Sequence, residues 1–284
     1  MRWRKLETSD NVEDRRGMGR TAAGVGGVGL VGLLLALFGG LFGGGGDGAI
    51  GDLLDQVAQQ QQPATDGTQS PEFEGVDESE EFVRRVVGST ETTWEQIFTG
   101  SGRQYNPATV VLFGGATQSA CGGAQSAIGP HYCPVDTTVY IDLDFFGQLQ
   151  QQFGAGEAEF AQAYVIAHEI GHHVQNELGI MAQVQQMQQQ DQGNANELSV
   201  QLELQADCLA GIWANNLYQR DNVLERGDVQ AALDAAAAVG DDNIQRRTTG
   251  EVSPESWTHG SSEQRMEWFT TGYETGDPNQ CNTF

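Results

Sequence analysis

Apolar residues recur at helical spacing through most of this chain and form strand-like runs in only two places. Phe82, Val83, Val86 and Val87 fall on one helical face, and Thr93, Trp94, Ile97 and Phe98 continue it after a break at Gly88. Residues 109–113 and 138–143 are short, rich in β-branched and aromatic side chains, and predict two buried strands. A Gly/Ser-rich loop with Cys121 and Cys133 lies between them. Downstream the 3.6-residue period predicts helices over 146–153, 157–176, 198–218, 229–239 and 264–273, with a Gln-rich loop over 181–196. No internal repeat is visible. The predicted class is α+β: a small β-sheet packed against a mostly helical unit.

The N-terminal quarter follows a different pattern. From Thr21 to Phe42 there is no charged residue, and Leu30, Leu33, Leu34, Leu35, Leu37 and Phe38 make the run apolar despite its glycines. About 20 such residues suffice for one membrane span. Arg2, Arg4, Lys5, Arg15, Arg16 and Arg20 precede it and an acidic chain follows, which predicts a cytoplasmic N-terminus and an extracytoplasmic remainder. The rival readings are a cleaved signal peptide, which lacks a clear small-x-small site here, and a soluble Gly-rich arm. Residues 43–71, with Gly43 to Gly46 and Gln59 to Gln62, have the composition of a flexible linker. The expected organisation is a basic cytoplasmic segment over 1–20, a transmembrane helix over 21–42, a linker over 43–71 and a folded domain over 72–284.

Charge and cysteine content narrow the class. The formal net charge of -25 arises wholly beyond residue 20, because residues 1–20 are net basic, so the body should repel nucleic acid and anionic membrane. Four cysteines, an even number, fit two disulfides in an oxidising compartment. No Cys-x-x-Cys pair suggests a structural metal site.

The chemistry lies in His168-Glu-Ile-Gly-His-His173, within the helix predicted over 157–176. His168 and His172 are four residues apart, so both imidazoles share a face and can grip one zinc ion. Glu169 projects beside them, where a general base for a metal-bound water would sit. Gly171 leaves room for close approach of a neighbouring element, and His173 points elsewhere and reads as a packing residue. A metzincin third ligand would need glycine at 175 and histidine at 178. The chain has Gln175 and Leu178. Glu203 and Asp207, also four apart, flank the apolar stripe Leu198, Leu202, Ala206, Leu209 and Trp213 of a later helix. Carboxylates at a buried border are costly unless paired or metal-bound. Glu203 therefore reads as the third ligand and Asp207 as hydrogen-bond partner to a ligand histidine; the bland alternative is two solvated carboxylates.

This layout resembles the Glu-zincin peptidases, with His-Glu-x-x-His followed by Glu-x-x-x-Asp. More narrowly the chain resembles the neutral zinc metallopeptidase family of bacteria, the YpfJ-like proteins. The matching pieces are Ser9-Asp-Asn-Val-Glu-Asp-Arg15, the Gly-rich apolar run, Tyr132-Cys-Pro-x-Asp136, Val139-Tyr-Ile-Asp142, His168 to Gln175, Glu203-Leu-Gln-Ala-Asp-Cys208, His259-Gly-Ser-Ser262 and Gly276-Asp-Pro-x-Gln-Cys281. The likeness spans nearly the whole chain and implies a membrane-linked, zincin-like peptidase acting on peptide or protein substrates.

Further features bear on the site and its support. Val139 to Asp142 is either an edge strand that aligns substrate backbone or core. Ser261 is placed to cap the last helix with Gln264 in a capping box. His259 just before it either stabilises an oxyanion or only marks the helix entry. His131 reads as structural or exposed. Cys121 with Cys133 is the simplest local disulfide, which would leave Cys208 with Cys281, but the sequence allows three pairings. The expected function is a membrane-anchored, extracytoplasmic zinc metallopeptidase with His168, His172 and Glu203 on zinc, and Glu169 and His259 as catalytic groups. The alternatives are a non-catalytic zinc-containing envelope binding module and a zinc hydrolase of a non-peptide amide.

Overall fold

The fold was analysed in a computed structural model that describes residues 1–16, 77–125, 129–143, 145 and 158–284. It is mostly helical with a small mixed sheet, as the apolar pattern predicts. The sheet has four strands in the order β1-β2-β6-β5: β1 (Val12–Asp14), β2 (Thr109–Phe113), β6 (Thr138–Asp142) and β5 (His131–Cys133). β1 runs parallel to β2, β2 parallel to β6, and β5 antiparallel to β6. A separate hairpin, β3 (Ala116–Ser119) with β4 (Gly122–Gln125), stands beside it. Cys121 at its tip is bonded to Cys133 at the end of β5.

The helices are α1 (Glu78–Gly100), α2 (Ala158–Glu177), α3 (Ile180–Gln190), α4 (Ala195–Asn216), α5 (Asp228–Ala238), α6 (Asp241–Thr248) and α7 (Ser262–Thr275). Most bounds fall within a few residues of those the periodicity predicts. The Gln-rich stretch expected as a loop instead contains α3, because Val184 packs against Leu198 and Leu202 and gives one face something to bury. The helix predicted over 146–153 lies outside the described residues. β6 is central and wholly buried, so Val139 to Asp142 is core, and the substrate-edge alternative is overturned for that strand.

Two glycine contacts bring the helices together. A Cβ on Gly171 in α2 would lie 3.0 Å from the Ala206 carbonyl oxygen of α4, so the close approach expected there is present. In α4 and α7, Gly211 faces the backbone of Phe269 and Gly272 faces that of Cys208, at separations no Cβ tolerates. The second disulfide, Cys208–Cys281, joins α4 to the C-terminal tail. Ser261 and Gln264 form the expected capping box at the start of α7.

The expectation of a basic segment lying apart from the folded domain is overturned for residues 1–16. β1 is one edge strand of the sheet, and Trp3, Leu6 and Val12 enter the main core, where Trp3 meets the Phe82 ring edge-on at 5.5 Å. Gly88 is no break: α1 runs through it, and its missing side chain lets the backbone of Glu7 and Ser9 cross the helix. The predicted span 21–42 and linker 43–71 lie outside the described residues. Among the described residues no helix is long and apolar enough to cross a membrane.

Emptying the Trp3 site should therefore weaken the whole domain. Trp3→Ala is expected to cost about 3–5 kcal/mol, a large part of a typical domain's ~5–15 kcal/mol. Thermal or denaturant unfolding of the purified protein checks it; an unchanged midpoint would mean the N-terminal segment does not contribute to the core.

Candidate metal centre

The site forms where α2 crosses α4 at Gly171 and Ala206. His168 and His172 stand one turn apart on α2, and Glu203 stands opposite on α4. One ligand atom from each of these three buried residues lies within 4.8 Å of the other two, a spacing that suits a single ion. His168 Nε2 is 3.1 Å from Glu203 Oε2 and His172 Nε2 is 3.3 Å from Glu203 Oε1. Both imidazoles thus turn Nε2 toward the shared centre.

Their other nitrogens are held from behind. His168 Nδ1 lies 2.9 Å from Asp207 Oδ1, and His172 Nδ1 lies 2.8 Å from Gln175 Oε1. Both partners accept, so each ring carries a proton on Nδ1, and Nε2 is the nitrogen that would give its lone pair to a metal in place of a proton. Gln175 is itself fixed, donating to the Leu202 carbonyl at 2.7 Å and to Gln205 Oε1 at 3.1 Å. Two imidazoles and one carboxylate, with partners on the far sides, are a donor set that fits a zinc ion, and as three ligands they would leave room for water or substrate.

Asp207 is fully buried and saturated. Arg265 of α7 donates Nε to Oδ2 at 2.7 Å and Nη2 to Oδ1 at 2.9 Å, and the Tyr164 hydroxyl of α2 also donates to Oδ1. Burial alone would raise the Asp207 pKa, but the Arg265 charge and the His168 contacts outweigh it and bring the carboxyl to about 2. His168 shows the opposite balance: burial disfavours its cation, while Asp207 and Glu203 lift it to about 10. Glu203 is held well below the carboxylate range despite burial, chiefly by His172 and His168, with His259 contributing.

Glu169 is buried beside the two histidines, and burial raises its carboxyl against the pull of both. A carboxylate with raised proton affinity next to a metal group suits a general base. His259 is also buried. Asp241 accepts from its Nδ1 at 3.1 Å and from the backbone N–H groups of Thr258, His259 and Gly260 at 2.8, 2.7 and 3.1 Å. Asp241 therefore fixes both the turn and the ring, and His259 is among the groups that lower the Glu203 carboxyl. His173 takes no part: Nε2 donates to the Asn106 carbonyl at 2.7 Å and Nδ1 accepts from the Tyr132 hydroxyl at 3.1 Å, as its packing role predicts. His131, on β5, stacks on Tyr140 at 5.2 Å, and β5 packs beside the ligand helix α2 through the Tyr132 and His173 rings.

Sequence reading missed Tyr164, Gln175, Asp241 and Arg265. For three of them a signal existed. Tyr164 is four residues before His168 and Gln175 three after His172, so both lie near the ligand face of α2. Arg265 precedes Phe269 and Gly272 at helical spacing, a charge on a buried stripe. Asp241 gave none, because only the fold brings it to His259.

The family profile described as "Putative neutral zinc metallopeptidase" matches residues 1–284, and the chain belongs to this family. Uncharacterized protein YpfJ of Escherichia coli K12 is 45% identical over 289 residues, covering all of this chain and 99% of YpfJ. Uncharacterized protein Rv2575 of Mycobacterium tuberculosis H37Rv is 48% identical over 219 residues, covering 72% of this chain and 71% of that protein. No solved structure matches. Zinc is the metal of the family, and the His168, His172 and Glu203 group is able to hold it.

The Asp207 network should matter for both metal and fold. Asp207→Asn removes the charge that orders His168 and pairs Arg265. It is expected to lower zinc affinity about 10- to 100-fold and to cost roughly 3–5 kcal/mol of stability. Chelator competition and unfolding curves on one preparation check both; zinc affinity unchanged from the parent would remove Asp207 from the metal site.

Proposed function

We propose that this member of the family is a zinc-dependent peptidase that hydrolyses peptide bonds in peptide or protein substrates. The observation that supports this most is the pairing of a three-ligand group with a buried, high-affinity base, Glu169, one residue from His168. A purely structural zinc site is normally closed by a fourth ligand and needs no neighbouring base. Among the described residues the only group suited to a metal has three members.

His168, His172 and Glu203 would hold the zinc, which when bound would supply Lewis acidity to a carbonyl oxygen and to water. Glu169 takes the proton from the attacking water and delivers it to the leaving amine, a shuttle favoured by its raised proton affinity. His259, oriented through Nδ1 by Asp241, donates to the oxyanion that develops on the carbonyl. β5 is an edge strand of the sheet and packs beside the ligand helix α2, so an extended substrate can add to it by backbone hydrogen bonds. The two disulfides support an oxidising, extracytoplasmic setting. The apolar run 21–42 supports attachment to the cell membrane.

The direct test is hydrolysis of a peptide library by the full-length protein, with small amides and esters alongside and zinc content measured. Cleavage of peptides is the expected result. Turnover of small amides alone would move the protein to a non-peptide hydrolase, and zinc-loaded protein inactive on all of them would favour a binding module. Glu169→Gln should keep its zinc and lose at least ~100-fold in kcat, the lower range of general acid–base contributions. A fully active Glu169→Gln protein would refute the assigned base. His259→Ala should lower kcat by roughly 100-fold with zinc content unchanged; a change confined to KM would make His259 a substrate-binding group only.

A further inference from the structure

We propose that residues 1–16 and the folded domain lie on the same side of any membrane the chain meets, so the apolar run 21–42 does not make a single crossing. The sheet carries this inference. β1 pairs in parallel with β2, matching Val12 to Val110, Glu13 to Val111 and Asp14 to Leu112. The Val110 N–H donates to the Asn11 carbonyl and the Arg15 N–H to the Leu112 carbonyl, each at 2.8 Å. A strand of this sheet cannot be separated from it by a bilayer.

The segment is built in at many points. Arg84 of α1 donates to the carbonyls of Ser9 at 3.1 Å and Val12 at 2.8 Å, and the Ser9 N–H donates back to the Arg84 carbonyl at 2.9 Å. Glu91 accepts from the Ser9 hydroxyl at 2.7 Å and from the Asn11 side chain at 2.8 Å. Gly88 exists as glycine because the Glu7 backbone presses on it. Ser9-Asp-Asn-Val-Glu-Asp-Arg15 is thus the part of the N-terminus that docks.

Arg16 and Asp77, which bracket the stretch 17–76, meet at one place. Arg16 Nη1 is 2.8 Å from Asp77 Oδ2, and the same Asp77 caps α1 by accepting from the Glu80 N–H. A chain that leaves and returns at one ion pair must cross a bilayer an even number of times. Two crossings need about 40 apolar residues. The run 21–42 supplies one span's worth, and residues 43–76 carry Asp47, Asp52, Asp55, Asp66, Glu72, Glu74 and the Gln59 to Gln62 tract. An apolar run of this length can still touch the near face of a bilayer without crossing it. If the domain is exported, the Arg-rich N-terminus is exported with it.

Cysteine accessibility in the full-length protein tests this. The described cysteines are all disulfide-bonded, so a single new thiol reports its own position. Asp10→Cys and Thr8→Cys report the N-terminus and Gln189→Cys reports the domain, all at exposed positions. Spheroplasts are treated with a membrane-impermeant maleimide before and after detergent. The expected result is that all three positions behave alike, reactive together or protected together. An N-terminal position that needs detergent while Gln189→Cys does not would overturn the proposal, and the second reporter guards against a local effect of either substitution. The readout involves neither zinc nor turnover, so it stands or falls apart from the peptidase reading.

Discussion

A fully buried carboxylate organises this molecule. Asp207 gives up its hydration entirely, and an ionised group in that position costs several kcal/mol unless every lone pair is met. The fold meets them from three directions: the Arg265 guanidinium from α7, the Tyr164 hydroxyl and the His168 ring from α2. Each donor is itself buried, so none can turn back to water if Asp207 is lost. The network makes the relative placement of α2, α4 and α7 a single decision. It is also the decision that fixes the ligand histidine.

The backbone arranges for that network to close. Side chains of Arg, Tyr, His and Asp meet over short distances only if the helices carrying them approach closely. Gly171 against Ala206, and Gly211 against Gly272 and its neighbours, provide the approach. Cys208–Cys281 then holds α4 one residue beyond Asp207. The result favours preorganisation: Asp207 and Gln175 hold His168 and His172 from behind, which reduces the ordering that binding an ion would require. Arg265 has a second effect. By neutralising Asp207 it limits the negative charge behind His168, so the metal's charge is offset mainly by Glu203.

The ligand set was legible because helical spacing puts chemistry and periodicity in the same short stretch. His168 and His172 share a face by arithmetic, and Glu203 and Asp207 stand out as charges at the edge of an apolar stripe. The partners of that set were harder to see. Tyr164 and Arg265 lie on buried faces but resemble ordinary helix residues, and only packing shows that they converge on one carboxylate. Asp241 and His259 are joined by a turn that no local pattern predicts. The N-terminus was the least legible part. A three-residue strand with one apolar side chain, Val12, has no period, and the nearby cations read as a membrane-flanking cluster. Two of them, Arg15 and Arg16, are engaged with Glu13, Asp14 and Asp77.

The N-terminal segment sets local physics against long-range physics. Charge flanking an apolar run argues for one crossing, whereas the β1-α1-β2 order describes a parallel crossover unit whose two strands need a helix between them. The stretch 15–77 between β1 and α1 is then an insertion in that crossover. Closing a loop of about 60 residues instead of one of about 6 costs only about 2 kcal/mol. Burying Trp3, Leu6 and Val12 returns roughly 1.5–3 kcal/mol each, before any hydrogen bond of β1 is counted. Within one compartment docking therefore wins over the loop it must close. Across a membrane it cannot happen at all, and the sheet would keep the open edge of β2 facing water. A sequence that shapes Gly88, Arg84 and Glu91 around the N-terminal segment is one in which that segment reaches its place.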